Sequence, residues 1–98
     1  MNYRRVGKSG LKISEISLGA WLTFGRSVDG KTTEKIIQTA IERGVNFIDN
    51  ADIYAEGRAE EAVGRAVKPF KRSDLVLSSK VFWPLSENVN DRGLSRNI

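Results

Sequence analysis

Cysteine and histidine are both missing from this 98-residue sequence. Without cysteine, the chain can form neither a disulfide framework nor a thiolate metal site. Without histidine, it can supply neither a zinc–imidazole site nor acid–base chemistry by an imidazole. Any acid–base chemistry that these residues encode is therefore left to other side chains.

Long apolar runs are also absent. No stretch approaches the roughly 18 apolar residues that span a membrane, and the opening segment 1–5 leads into no apolar signal core. We expect no membrane insertion and a cytoplasmic location. The formal charge of +4 comes from lysines and arginines scattered among acids, with no basic stripe. A solvated surface of mixed charge is the better interpretation, and we expect no nucleic-acid partner.

The order of apolar segments predicts a hairpin followed by alternating strands and helices. Short extended runs at 3–6 and 11–13 flank a loop bounded by glycines, which is typical of a β-hairpin. Further apolar runs at 16–19, 45–48 and 75–77 predict three strands, with a helical stripe in each interval. The second stripe ends before a proline and has these members: Ala59, Ala62, Val63, Ala66 and Val67. Such alternation predicts an α/β fold with parallel strands and crossover helices.

The chain divides into three parts on this interpretation. Residues 1–14 form the hairpin, 15–82 the β-α-β-α-β array and 83–98 an irregular tail. Three parallel strands leave an edge unpaired and one sheet face poorly covered, so we expect the start of a larger fold. The strand residues expected to lack packing partners on that face are Val45, Phe47, Leu75 and Leu77.

Residues 25–32, GRSVDGKT, match the phosphate-loop pattern of nucleotide triphosphatases. The fixed positions are Gly25, Gly30, Lys31 and Thr32. The pattern has to lie directly between a strand and a helix, but a better strand already ends upstream at residue 19. A carboxylate inside the loop, at Asp29, would also repel phosphates, and it is better suited to cap the following helix.

Polar residues at the strand ends predict an acid–base site. Asp49 follows the second apolar strand and Lys80 the third, and the carboxyl ends of parallel strands meet at one rim. Tyr54 follows in the short connection after Asp49 and can fold over that rim. An ammonium beside a tyrosine hydroxyl stabilises its phenolate and makes the tyrosine a better proton donor. The alternative is a turn aspartate, a solvated lysine and a core tyrosine.

Three segments resemble the aldo-keto reductases: SLGAWLTFG (17–25), VNFIDNADIYAEGRAEEAVG (45–64) and LVLSSKVFWP (75–84). The last stretch, DRGLSRNI, is similar to the subgroup that includes the voltage-gated potassium channel β-subunits. The resemblance runs almost end to end. It implies that GRSVDGKT is the loop between the first barrel strand and helix, and that its phosphate-loop match is accidental.

The resemblance implies the N-terminal part of a (β/α)8 TIM barrel with a bottom-closing hairpin, about three of the eight parallel strands being present. It further implies reduction of aldehydes and ketones to alcohols with NADPH and without metal. Tyr54 would be the proton donor, with Lys80 and Asp49 as its catalytic partners. Four positions match those that line the nicotinamide-ribose end of the cofactor site: Ala20, Trp21, Asp49 and Lys80.

The resemblance implies that the family's catalytic histidine and the residues that bind the adenosine 2′-phosphate come from later barrel units. We therefore expect residues 1–98 alone to be inactive, and to self-associate or to pair with a complementary barrel segment. The expected small-molecule partner is a carbonyl substrate. Two alternatives stay open: a non-catalytic cofactor-binding module similar to a potassium channel β-subunit and, more remotely, a nucleotide binder that uses Gly25–Thr32.

Overall fold

A two-stranded hairpin precedes a three-stranded sheet and two α-helices in the computed structural model, which describes residues 1–21, 24 and 29–96. The strands are β1 (Tyr3–Arg5), β2 (Lys12–Ser14), β3 (Leu18–Gly19), β4 (Phe47–Asp49) and β5 (Val76–Ser78). The helices are α1 (Gly30–Glu42) and α2 (Arg58–Val67), and short 3-10 turns occupy Tyr54–Gly57 and Arg72–Asp74.

The sheet is parallel, in the order β3-β4-β5. Leu18 pairs with Ile48, and Ile48 pairs with Leu77. Because register neighbours in a sheet point to the same face, these apolar side chains lie together on the face that the helices cover. β1 and β2 pair antiparallel. The predicted hairpin, parallel strands and crossover helices are confirmed.

The ends of α1 are set by an aspartate and a glycine. The Asp29 carboxylate accepts a hydrogen bond from the Thr32 amide at 2.7 Å, which confirms the predicted N-cap. Gly44 follows the helix with φ +103°, a conformation that suits glycine. The Tyr3 hydroxyl donates to the Gly44 carbonyl at 2.7 Å, and a Cβ on Gly44 would lie only 2.9 Å from the Cβ of Met1. The glycine therefore also lets the hairpin pack closely.

The core lies between the sheet and the two helices. All five residues of the predicted α2 stripe are buried. They belong to one apolar cluster with Ile37 of α1 and Ile48 of β4, both of which are completely enclosed. Three of the five stripe residues are alanine, which lets α2 lie close to its neighbours.

The structure places the leucines at the last strand on the helix-covered face of the sheet, and not on the open face as predicted. Leu75 is only 5% exposed and belongs to the apolar core, and Leu77 packs against the same core. Leu77 neighbours Ile48 in the register, so both point to the helix-covered face, as does Leu75 two residues earlier. Val45 is buried as well. The prediction that these residues lack packing partners is therefore wrong for Val45, Leu75 and Leu77.

The open face of the sheet carries a different set of side chains. Phe47 pairs with Val76, and Asp49 pairs with Ser78. All four are half-buried. Since they alternate with the core residues, they face away from the helices. The open face is therefore apolar toward the start of these strands and polar toward their carboxyl ends.

The segment after β5 contains no further regular element within its described part. Residues 83–96 form only turns and bends. They fold back on one another, because the Leu85 amide donates to the Asp91 carbonyl at 2.8 Å and the Gly93 amide donates to the Phe82 carbonyl at 2.7 Å. Across the described ranges, no helix has both the length and the apolar character needed to cross a membrane.

Candidate active site

Polar groups gather where β4 and β5 end. Asp49 is the last residue of β4, and Ser78, its register neighbour, is the last residue of β5. Backbone hydrogen bonds hold the following segments together. The Asn50 amide donates to the Ser78 carbonyl at 2.9 Å, and the Asp52 amide donates to the Lys80 carbonyl at 3.1 Å. Adjacent parallel strands thus bring Asp49 and Lys80 to one rim, as predicted.

A strained turn places Tyr54 over this rim. Tyr54 begins the 3-10 turn, in which Ala55 and Glu56 have φ of +51° and +57°. Residues other than glycine adopt this left-handed backbone region at a cost in free energy, and they stay in it only when surrounding contacts hold them. Ala55 is buried in the core, and its carbonyl accepts from the Arg58 Nε at 3.0 Å. These contacts hold the backbone next to the tyrosine.

Each N–H of the Lys80 ammonium has a partner. Its Nζ lies 3.0 Å from both carboxylate oxygens of Asp49, 2.7 Å from the Asn50 carbonyl oxygen and 3.1 Å from the Tyr54 hydroxyl oxygen. An ammonium can only donate, so the Tyr54 oxygen accepts this hydrogen bond. The hydroxyl hydrogen of Tyr54 is left for another acceptor. The structure therefore brings together Asp49, Tyr54 and Lys80.

The electrostatics of the rim hold Asp49 and Lys80 in their charged forms. A hydrogen bond from Ser78 lowers the pKa of Asp49; partial burial opposes this, and the bond and charge of Lys80 reinforce it. Partial burial acts to lower the pKa of Lys80, but its bonds to Asp49 and Tyr54 outweigh burial, so the pKa of Lys80 is raised. Their side chains are 40% and 51% exposed. Solvent therefore screens the pair, which serves more to position these groups than to stabilise the fold.

Tyr54 and Lys80 both line an open groove of about 580 Å³. Its lining is mainly aromatic and aliphatic, with one carboxylate, and consists of Trp21, Ala51, Asp52, Ile53, Tyr54, Lys80, Val81 and Trp83. Trp21 is 65% exposed, and its ring centre lies 6.5 Å from that of Tyr54. The volume falls within the range of about 300–1,000 Å³ that is typical of small-molecule sites.

A neighbouring groove of about 850 Å³ is larger but has acidic walls. Glu56 and Glu60 line it together with Asp52, which the two grooves share, whereas Tyr54 and Lys80 do not. Carboxylates disfavour an anionic ligand, and this groove holds no proton donor paired with a cation. No three side chains of the metal-binding types His, Cys, Asp and Glu are grouped to hold a metal ion in the part of the chain that the structure describes. We therefore place the candidate site in the smaller groove.

The residues predicted to bind a cofactor differ in their surroundings. Trp21 and Lys80 line the groove, and Asp49 lies at its rim through its contact with Lys80. Ala20 is completely buried in the core, and its amide donates to the Asp49 carbonyl at 3.0 Å. Its side chain does not line the groove, so its contact with a cofactor stays a prediction.

The phosphate-loop segment lies partly outside the described residues, since Gly25 and the three residues after it are not among them. Asp29, at the described end of the segment, already accepts the hydrogen bond of the Thr32 amide. In a phosphate loop, such amides have to face the phosphates. The hydrogen bond between Asp29 and Thr32 agrees with the interpretation of this segment as a connection that leads into a capped helix.

Sequence reasoning missed two contributors to the site. Ser78 donates to Asp49 Oδ1 at 2.6 Å, and the Asn50 carbonyl accepts from Lys80. Ser78 precedes Lys80 by two residues in an extended segment, so the period of a strand could have placed both side chains on one face. The Asn50 contact uses a backbone oxygen, which no residue pattern reveals.

Parallel βα units with a lysine–tyrosine–aspartate cluster at the strand carboxyl ends are the arrangement on which βα-barrel proteins build their active sites. Comparison with known families identifies which one. Residues 15–97 match the model of the aldo/keto reductase family. The chain belongs to the aldo/keto reductase family.

Its curated relatives include two plant proteins that share one description. The chain is 51% identical to a "Probable voltage-gated potassium channel subunit beta" of Arabidopsis thaliana and 48% identical to a protein of the same description from Oryza sativa subsp. japonica. Each match covers 98% of this chain but 30% of the relative. The chain therefore spans about a third of the length of these relatives.

Solved structures support the fold. A thermostable aldo-keto reductase in complex with the inhibitor epalrestat matches 84% of this chain with 34% identity and a TM-score of 0.76, over 31% of its own chain. The holo form of an aldo-keto reductase from Bacillus halodurans matches 97% of this chain with 29% identity and a TM-score of 0.77, over 30% of its own chain. The described α/β array is thus part of a TIM-barrel fold.

Proposed function

We propose that these residues form the proton-donor end of an NADPH-dependent carbonyl reductase site, which converts aldehydes and ketones to alcohols in a complete barrel. One observation carries the proposal. Lys80 donates to the Tyr54 hydroxyl oxygen at 3.1 Å while the Asp49 carboxylate holds the same ammonium at 3.0 Å. Membership of the aldo/keto reductase family supports it.

Tyr54 is the proton donor in this proposal. Because its oxygen accepts from Lys80, its hydrogen is available to a carbonyl oxygen in the groove. As that oxygen takes the proton, negative charge develops on the Tyr54 oxygen, next to the Lys80 ammonium, which stabilises it. The ammonium stays in place because Asp49 and the Asn50 carbonyl bind its other N–H groups.

The groove suits the nicotinamide-ribose end of NADPH. Among the contacts of described residues, Asp49 Oδ2 accepts only from Lys80, so it keeps lone pairs for a ribose hydroxyl. The exposed ring of Trp21 and the half-buried ring of Tyr54 offer apolar walls to a flat ring. When bound, NADPH would supply the hydride that reduces the carbonyl carbon.

Replacement of Tyr54 by Phe tests the proposal in a complete barrel that carries these residues. Removing a general acid reduces turnover by about 10²–10⁴-fold, and we expect kcat for a small aldehyde to fall by that factor while NADPH binding persists. Tyr3→Phe is the matched control, because the Tyr3 hydroxyl bonds to Gly44 in the hairpin. Undiminished turnover in Tyr54→Phe would refute the role of Tyr54.

A second candidate function is a non-catalytic, cofactor-binding channel subunit. The channel-subunit description of both plant relatives, at 51% and 48% identity, favours it. NADPH binding without turnover of a panel of aldehydes and ketones would select this function over the first. The cytoplasmic location predicted from the sequence stays a prediction for both.

A further inference from the structure

The Ser78 hydroxyl has no role in the acid–base scheme above. Ser78 ends β5 and is the register neighbour of Asp49. Its Oγ donates to Asp49 Oδ1 at 2.6 Å, and its carbonyl accepts from the Asn50 amide at 2.9 Å. Ser78 is thus joined to the end of β4 through both its side chain and its backbone.

We propose that Ser78 is a positioning residue, whose hydroxyl fixes the Asp49 carboxylate so that this carboxylate holds Lys80 against Tyr54. The expected effect of Ser78 on turnover rests on the proposed function. The contact between Ser78 and Asp49 does not depend on that function, so the effect and the contact can be tested separately.

The need for a third group follows from the freedom of the other two. The Asp49 and Lys80 side chains are 40% and 51% exposed, so packing alone does not hold them. The torsion of an aspartate carboxylate is broad, and a lysine ammonium ends a flexible four-carbon stem. The Asn50 backbone carbonyl anchors the Lys80 ammonium at 2.7 Å but does not orient the Asp49 carboxylate. Ser78 has one side-chain torsion and stands on a hydrogen-bonded strand, so it provides the fixed point for Asp49.

The adjacent serine offers a natural control. Ser79 donates to Glu60 on α2, not to Asp49. Successive side chains of an extended segment point to opposite sides, so the two serines share chemistry but differ in partner. The titratable groups described in contact with Asp49 are the Lys80 ammonium and, through it, the Tyr54 phenol.

Isosteric variants in a complete barrel isolate the hydroxyl. Ser78→Thr keeps the hydroxyl. Ser78→Val has the shape of the threonine variant but no hydroxyl, and both residues suit a strand. The probe is the Asp49 carboxyl resonance, followed by NMR through an acid titration. We expect the pKa of Asp49 to lie below its ordinary value of about 3.9 in the wild type and in Ser78→Thr. In Ser78→Val it should rise toward that value, and in Ser79→Val it should not change.

Kinetics on the same proteins test the positioning role. We expect kcat to fall about tenfold in Ser78→Val, the effect of losing one hydrogen bond to a charged group. KM should change less than kcat, and Ser78→Thr should restore turnover. A titration that shifts as expected with kcat unchanged would overturn the positioning role.

Other outcomes also decide the matter. An unchanged Asp49 titration in folded Ser78→Val, or in Ser78→Ala if the valine variant does not fold, overturns the proposal. So does a wild-type Asp49 that titrates at its ordinary value, a measurement that needs no variant. If the titrations behave as expected but even the wild type reduces no carbonyl, the proposed function fails and the Ser78–Asp49 contact stands.

Discussion

At the scale of single residues, Asp49 connects the candidate site to the pH dependence of stability. The hydrogen bond from Ser78 and the contacts with Lys80 lower its pKa in the folded state. Near the ordinary value of about 3.9, the unfolded chain therefore binds more protons than the folded one. The ionised carboxylate stabilises the fold above that pH, and this stabilisation is lost as the pH falls through the folded-state pKa.

Replacement of Asp49 by Asn should remove this contribution while keeping the shape of the side chain. We expect the wild type to be the more stable protein at pH 6 and the difference to shrink between pH 5 and pH 2. The effect should be small, because the side chain is 40% exposed. Urea unfolding at several pH values measures it. A difference that grows as the pH falls would contradict the sign of the pKa shift.

At the scale of elements, the start of α1 depends on its aspartate cap. The Asp29 carboxylate accepts from the Thr32 amide, while the Asp29 carbonyl accepts from the Thr33 amide at 2.9 Å. In Asp29→Ala we expect faster hydrogen exchange at the Thr32 amide, retained protection at Thr33 and a lower melting temperature. Asp29→Asn, which keeps an acceptor, should preserve both properties. Equal exchange at Thr32 in all three proteins would show that the carboxylate is not the cap.

The close approach of α2 to the core leads to another prediction at this scale. Ala66 is completely buried, so a larger side chain there has to displace its neighbours. We expect Ala66→Leu to lower the free energy of unfolding by about 1–3 kcal/mol. Arg65→Leu introduces the same side chain at the adjacent exposed position of α2 and should have little effect. Urea unfolding of both variants checks the prediction, and equal stabilities would contradict the packing.

At the scale of the whole molecule, the 98 residues form an open array. The radius of gyration is 14.5 Å, against about 12.6 Å for a compact chain of this length. Three aromatic side chains beside the groove and after β5 are 65%, 56% and 63% exposed: Trp21, Phe82 and Trp83. The chain therefore leaves apolar surface uncovered beside the groove and after β5.

We therefore expect residues 1–98 alone not to reduce carbonyls at the rate of a complete barrel, and to self-associate or to bind a complementary barrel segment. Sedimentation, near-UV circular dichroism and NADPH oxidation with a small aldehyde test this, with a complete barrel as the control. A rigid monomer with ordinary reductase turnover would show that further barrel units are not needed.

Much of the fold follows from local patterns in the sequence. The five-residue stripe of α2 and the cap at Asp29 depend on near neighbours along the chain, and the structure confirms both. The meeting of Asp49 and Lys80 was predictable because parallel strands end at one rim.

Only the tertiary structure decided which strand face each side chain occupies and which groups meet across the strands. The register of β4 with β5 placed Leu75 in the core and Ser78 beside Asp49. It also determined that Asn50 offers its backbone carbonyl to Lys80. These contacts join residues about 30 positions apart. A shift of one residue in strand pairing would reverse the faces without any change in local pattern, so the sequence alone could not specify them.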